Sequence, residues 1–246
     1  MGLRNIKLTI AYDGSEYHGW QIQQGKKTIQ GILTEAIQNL IGCEVQVSGA
    51  SRTDAGVSAL GQVGLVQIDS LIPTENLAKA ITDRLPANIA VTEAIEAPQD
   101  FDVMGAVKSK LYRYTIFTGK VRPVLQIRHC WHIPVELDIE AMNEAGKMLV
   151  GKKDFKSFAS AADKRENSIR TIFRCEAIRE GSRVYVDVEG DSFLYNMVRN
   201  IVGTLIEIGR GRWEPEKMRE IIEARDRTAA GPIAAAQGLC LMWIKY

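Results

Sequence analysis

The residues best suited to chemistry lie close together in one polar stretch. Ser48-Gly49-Ala50-Ser51-Arg52-Thr53-Asp54-Ala55-Gly56-Val57-Ser58-Ala59-Leu60-Gly61-Gln62-Val63 sits between two apolar runs. An ionised Asp54 can attack an electron-poor carbon or take a proton, and Arg52, two places earlier, can hold an anion such as a phosphate. The same stretch also fits a structural Asx-turn, with the Asp54 side chain accepting a backbone N–H and Gly56 at positive φ. Local spacing leaves both readings open, because surface loops carry turns and catalytic groups alike.

A carboxylate held in a dry cleft needs a counter-charge, or it protonates. Arg199 is the candidate. In a helix predicted over about 193–209, Tyr195, Arg199 and Gly203 fall at i, i+4 and i+8 on one face. The apolar stripe Phe193, Met197, Ile201 and Leu205 flanks them, so Arg199 could equally be a snorkelling side chain. Lys110, Tyr112 and Tyr114 share one face of a predicted strand. Two aromatics on a face fit a core, yet an aromatic beside a cation also suits an unstacked nucleobase. A hydrolase pairing Asp54 with a second acid, Glu189 or Asp191, is a further reading that nothing in the spacing supports.

Composition narrows the classes. The 246 residues are 46% hydrophobic and 25% charged, with a net charge of +1. That is ordinary for a soluble globular chain and weak for a purely electrostatic nucleic-acid binder. Basic residues are patchy, however: Lys108, Lys110, Arg113, Lys120 and Arg122 form one stretch, and 151–170 holds six basic residues against three acidic ones. No apolar run is long enough to span a bilayer, and the N-terminus lacks the apolar core of a signal peptide. Cys43, Cys130, Cys175 and Cys240 are far apart and read as reduced thiols of a cytoplasmic protein. On a strand His129 and His132 would face opposite sides, so no metal site is expected. Phosphate-loop and dinucleotide-binding glycine motifs are absent, so no nucleotide cofactor is expected.

The elements that must position these groups follow from periodicity. Ile6, Leu8, Ile10 and Tyr12 alternate with polar or small residues as a strand. Thr28 caps a helix carrying Ile29, Leu33, Ile37 and Leu40, with Gly42 closing it. Strands are predicted over 44–50 and 61–68, on either side of the Asp54 loop. Pro73 and Thr74 open a second helix that Pro86 ends, and 89–97 is a strand. This strand–helix–strand–strand–helix–strand order is that of a split βαβ, ferredoxin-like unit. The second half alternates similarly: strands over 109–118 and 126–133, a helix capped by Asp138, and a basic loop to residue 170. Strands over 171–178 and around Val184, Val186 and Val188 follow, then the Arg199 helix, a helix opened by Pro215, and a strand over 239–246. Two α+β halves are expected, 1–104 carrying the Asp54 loop and 105–246 carrying the Tyr112 strand and the Arg199 helix.

Arg52-Thr53-Asp54-Ala55-Gly56-Val57 followed by Gly61-Gln62-Val63 resembles the active-site signature of the tRNA pseudouridine synthase A family. Ala11-Tyr12-Asp13-Gly14-Ser15 with Tyr17 and Gly19-Trp20 is similar to that family's opening segment. Tyr112-Arg113-Tyr114 resembles its central strand, and Met197-Val198-Arg199-Asn200-Ile201-Val202-Gly203 its late helix. The four segments occur in the family's order and run nearly end to end. The resemblance implies two ferredoxin-like halves with mainly antiparallel sheets joined around a central active-site cleft. It implies isomerisation of uridine to pseudouridine at positions 38, 39 and 40 of the tRNA anticodon stem-loop, by a homodimer, without a cofactor. Asp54 would be the nucleophile, Arg199 its ion-pair partner, and Tyr112 the residue that stacks on the base and helps remove a proton. Arg52 and Lys110 would bind the RNA substrate. Ser51 and Ser58 stand where the family often has Gly and His.

Overall fold

The computed structural model describes residues 2–246, which form two compact units. The first is residues 2–108 with Leu241–Tyr246, and the second is Ser109–Cys240. The boundary therefore lies a few residues later than the 104/105 division read from the sequence, and the closing segment returns to the first unit.

In the first unit β1 (Arg4–Tyr12), α1 (Ile29–Ile41), β2 (Val47–Gly49), β3 (Ser58–Ile68), α2 (Thr74–Thr82) and β4 (Ile89–Ala97) follow in the split βαβ order. β1 lies between β4 and β3, antiparallel to both, and β2 pairs with β3, also antiparallel. Thr28 accepts from the Gly31 N–H at the start of α1, and Gly42 ends it in the left-handed region. Ile6, Leu8, Ile10, Leu33, Ile37 and Leu77 are fully buried, as their spacing predicts. Of the predicted strand 44–50 only Val47–Gly49 pairs, because β3 meets it over just Gly64, Leu65 and Val66.

The second unit holds β5 (Ser109–Phe117), β6 (Trp131–His132), α3 (Ile139–Leu149), β7 (Gly151–Asp154), β8 (Ile169–Glu180), β9 (Arg183–Gly190), α4 (Met197–Gly209) and α5 (Lys217–Ala224). Its strands run β5-β9-β8-β7, all antiparallel, with β6 parallel to the end of β5. With α3 between β5 and β8 and α4 after β9, this repeats the split βαβ order of the first unit, β9 lying between β5 and β8 as β3 lies between β1 and β2, with β7 added at the edge. The β8–β9 hairpin places β9 between β5 and β8. β10 (Leu239–Lys245) ends the chain, and from Leu241 onward it belongs to the first unit.

Three local readings change in this unit. The stretch 126–133 is mostly a 3-10 turn, Val124–His129, with only Trp131–His132 extended. The basic stretch 151–170 begins as a strand, because Gly151 at φ +104° turns the chain out of α3 and Lys152 then pairs with Thr171. The Arg199 helix starts at Met197, not near 193. Asn196 sits in the left-handed region at φ 61°. The Tyr195 N–H donates to the Asp163 carboxylate and its carbonyl accepts from Ser160 N. These bonds tie 195 into a neighbouring loop and keep it off the helix.

β5 carries the strand face of interest, and its register is pinned from the other face. Arg113 donates to both Asp187 oxygens, at 2.7 and 2.8 Å, across the β5–β9 pair. The Asp187 side chain is almost wholly buried. A one-residue slip would unpair this carboxylate and turn Tyr112 to the opposite face.

Candidate functional site

The Asp54 loop is held from three sides by its own unit. The Val57 N–H closes a turn onto the Asp54 carbonyl at 3.1 Å, with Gly56 at φ +80°. Below the turn lies the opening segment. Trp20 N donates to the Thr53 carbonyl, Gly56 N donates to the Tyr17 carbonyl, and Gly14 N donates to the Ser58 hydroxyl. The Tyr12 and Thr53 hydroxyls meet at 2.8 Å in a buried site. Behind the turn, the buried Gln62 amide donates to the Ser51 carbonyl at 2.8 Å. Gly19 makes the close approach possible. It sits at φ +86°, and a Cβ there would come within 2.5 Å of the Thr53 carbonyl oxygen.

The opening motif and Gly61-Gln62-Val63 are thus one cradle for Asp54. Sequence reasoning recognised both segments but not what they do. Their signal was the run of buried-capable polar groups, Tyr12, Ser58 and Gln62, at strand ends. Ser58 acts as a latch for Gly14, its hydroxyl accepting from the Gly14 N–H at 3.0 Å. Asp54 itself is half-buried, and Arg52 is exposed. Among the described residues Arg52 has no hydrogen-bond or ion-pair partner. Removing the Tyr12 hydroxyl strands the Thr53 hydroxyl inside this cradle. Tyr12→Phe is expected to cost about 1–2 kcal/mol, read as a drop of several degrees in the thermal midpoint. A midpoint equal to wild type would mean the bond does not hold the loop.

In the second unit Tyr112, Tyr114 and Lys110 point to the same face of β5, as predicted. Tyr112 is 6% exposed and meets the Phe193 ring edge-on, with centroids 5.3 Å apart. Tyr114 is core: it is fully buried and its hydroxyl donates to the Ala235 carbonyl at 2.7 Å. Burial holds that phenol far above its ordinary range. Lys110 is half-buried, and its ammonium is pulled down to about 8, first by burial and second by the nearby Arg165 charge.

Arg199 is braced. Its Nε donates to the Ala234 carbonyl at 2.9 Å and its Nη1 to Asn196 Oδ1 at 3.1 Å. Its own carbonyl accepts from Ala234 N. The strap through Ala234 lies against α4 because Gly203, one turn on, has no side chain. A Cβ there would overlap the Pro232 carbonyl oxygen. Arg199 and Gly203 therefore share a helix face as read, whereas Tyr195, before the helix, does not. Asp191, one of the two acids that the unsupported hydrolase reading named, is engaged within its own unit, accepting from Thr171 N and the Ser192 hydroxyl. The His132 ring bonds the Gly119 carbonyl at 2.8 Å.

A protein-family model described as tRNA pseudouridine synthase matches residues 8–104 and 145–246. The tRNA pseudouridine synthase A of Moorella thermoacetica is 43% identical over 243 residues, covering 98% of this chain and 99% of that protein. The protein of that name from Caldicellulosiruptor bescii is 41% identical over 244 residues, covering 99% and 100%. That from Acetivibrio thermocellus is likewise 41% identical with the same coverage.

Proposed function

From the premise that this chain belongs to the tRNA pseudouridine synthase family, we propose that it isomerises uridine to pseudouridine at positions 38, 39 and 40 of the tRNA anticodon stem-loop. The reaction breaks the bond from C1′ to N1 of the base and forms one from C1′ to C5. A proton leaves C5 and N1 gains one, so atoms and electrons balance without a redox partner or cofactor.

As the N1 bond breaks, C1′ becomes electron-poor. Asp54 acts on the sugar at this point, either by adding to C1′ or by taking the 2′ proton to give a glycal. Arg199 is the counter-charge that keeps this carboxylate ionised in a water-poor site. Tyr112 offers its ring to the extruded base and assists removal of the C5 proton. Arg52, exposed and without a protein partner among the described residues, helps extrude the base and hold an adjacent phosphate. The observation that supports this reading most is the backbone cradle around Asp54. A merely structural Asx-turn has no need of a buried Tyr12–Thr53–Gln62 set to hold it still.

In the same reading the enzyme works in the cytoplasm as a homodimer, with one tRNA bridging both subunits. Among the described residues no helix is long and apolar enough to cross a membrane. The test is to incubate the protein with unmodified tRNA and map pseudouridine by chemical marking and primer extension. Conversion at positions 38, 39 and 40 is expected. Tight binding without conversion would favour the alternative, a tRNA-binding module that has the fold without the chemistry.

A further inference from the structure

We propose that Lys110, Arg165 and Arg170 form a subsite for a phosphodiester of the RNA substrate, next to the Tyr112–Phe193 ring pair. The proposal rests on the reading of the protein as a tRNA-modifying enzyme and adds to it a set of contacts within the second unit. Arg165 is the centre. Its Nη1 donates to the backbone carbonyl of Phe193 at 3.1 Å, the residue whose ring packs edge-on against Tyr112. Its charge is felt by both Lys110 and Arg170. Lys110 stands across the sheet from Gly190, the Phe193 ring lies over Gly190, and Gly190 pairs in turn with Ile172, two places from Arg170, so three cations lie around a ring that a base would use.

Their donors are only partly spent. Arg165 gives Nε and one Nη2 hydrogen to Asp163, and one Nη1 hydrogen to Phe193. One hydrogen remains on each terminal nitrogen with no partner among the described residues. Arg170 donates from Nη1 to the Asn167 and Ile169 carbonyls, while its buried Nε has no partner. That Nε is closed to solvent, so the groups left to meet a ligand are the Arg170 Nη2 and the spare terminal hydrogens of Arg165.

Two acids stand among these three cations, Asp163 paired with Arg165 and both Asp163 and Asp191 acting on Arg170, which leaves the cluster with an excess of positive charge. Asp163 is 5% exposed and is taken up by Arg165 and the Arg165 and Tyr195 backbone N–H groups. These bonds hold its carboxyl well below the usual carboxylate range. Asp191 is held by Thr171 and Ser192. Glu189 pairs in register with Leu111, one place along from Lys110, so it points to the other face. Asp163 is best described as a positioning residue that aims the Arg165 fork. A planar fork with spare N–H groups beside an ammonium matches a tetrahedral phosphate oxygen pair.

The experiment measures binding of an unmodified tRNA transcript by fluorescence anisotropy, between 50 and 200 mM KCl. Arg165→Gln and Arg170→Gln should each lower the slope of log affinity against log salt by about one unit, the mark of one lost phosphate contact. Lys79→Gln, at an exposed i,i+4 pair on α2, should leave the slope as in wild type. The pH arm is independent of these variants. Lys110 binds an anion as ammonium, and the anion raises its affinity for the proton. Binding is thus full below pH 8 and weakens as pH rises through 8 toward 9. Lys110→Arg, charged throughout, should flatten that fall. Unchanged salt slopes in folded Arg165→Gln and Arg170→Gln, or equal wild-type affinity at pH 7 and 9, would overturn the subsite. Absence of pseudouridine formation by wild type would instead count against the proposed reaction, and is read in a separate assay.

Discussion

Asp54→Asn is expected to lower turnover by about 10⁴-fold or more and to leave tRNA affinity within about threefold of wild type. The amide has nearly the volume of the carboxylate but neither its charge nor its nucleophilicity. The loop should not move, because the bonds around residue 54 that hold it run through backbone atoms: Val57 N to the Asp54 carbonyl, Trp20 N to the Thr53 carbonyl, and Gly56 N to the Tyr17 carbonyl. Single-turnover conversion, followed by release of tritium from C5-labelled uridine in tRNA, measures the chemical step directly. Wild-type turnover in the asparagine variant would remove Asp54 from the mechanism. Loss of binding together with turnover would show instead that the carboxylate builds the loop.

Gly203→Ala has the second largest expected effect and acts at a distance from any reacting atom. A methyl group on α4 at this position collides with the Pro232 carbonyl, and the strap must lift. Gly231 on the strap is as tight in return, since its own Cβ would stand 2.8 Å from Thr204 Cα. Overpacking of this kind costs about 3 kcal/mol, and alanine returns about 1 kcal/mol of helix propensity. The net loss of about 2 kcal/mol corresponds to a midpoint lower by roughly 4–8 °C in a chain of this size. The strap supplies the Ala234 carbonyl to Arg199 and the Ala235 carbonyl to Tyr114. Displacing it by an ångström misplaces Arg199, and turnover should fall by about 10²-fold. Arg199→Lys separates the two effects: it keeps the close Gly203–Pro232 packing and the backbone bond from Ala234 N to the Arg199 carbonyl but loses the Nε bond to Ala234 and the planar fork, so turnover should fall with less loss of stability. A Gly203→Ala protein as stable and as active as wild type would mean that the strap does not set the arginine.

Much of this was legible along the chain. The alternation from Ile6 to Tyr12, the Thr28 and Asp138 caps and the Gly42 terminus each depend on neighbours within a turn or a pleat. Local sterics and one or two side-chain-to-backbone bonds decide them, and the structure has them as read. The Asp54 loop and the shared face of Lys110, Tyr112 and Tyr114 were also visible, because strand geometry alone sets which side a residue takes. Where reading failed, a distant partner had intervened. The Arg199 helix begins at Met197 because Asp163 and Ser160, more than thirty positions earlier, hold Tyr195 outside it. The stretch after Gly151 became a strand because Thr171 was there to pair with it.

What the sequence by itself determined is the kind of element at each place and the list of groups with useful chemistry. Only the tertiary structure decided which groups hold which. Tyr12, Trp20 and Gln62 became supports for Asp54, and Ala234 on a strap 35 positions beyond Arg199 became its brace. Lys110 lost its full hold on a proton first because the fold buries it and second because it brings the Arg165 charge near. The reason is one of range. A turn or helical stripe is settled by a few adjacent residues, whereas a cradle needs many weak contacts between distant segments to be satisfied together, and no single one of them leaves a mark in the local pattern.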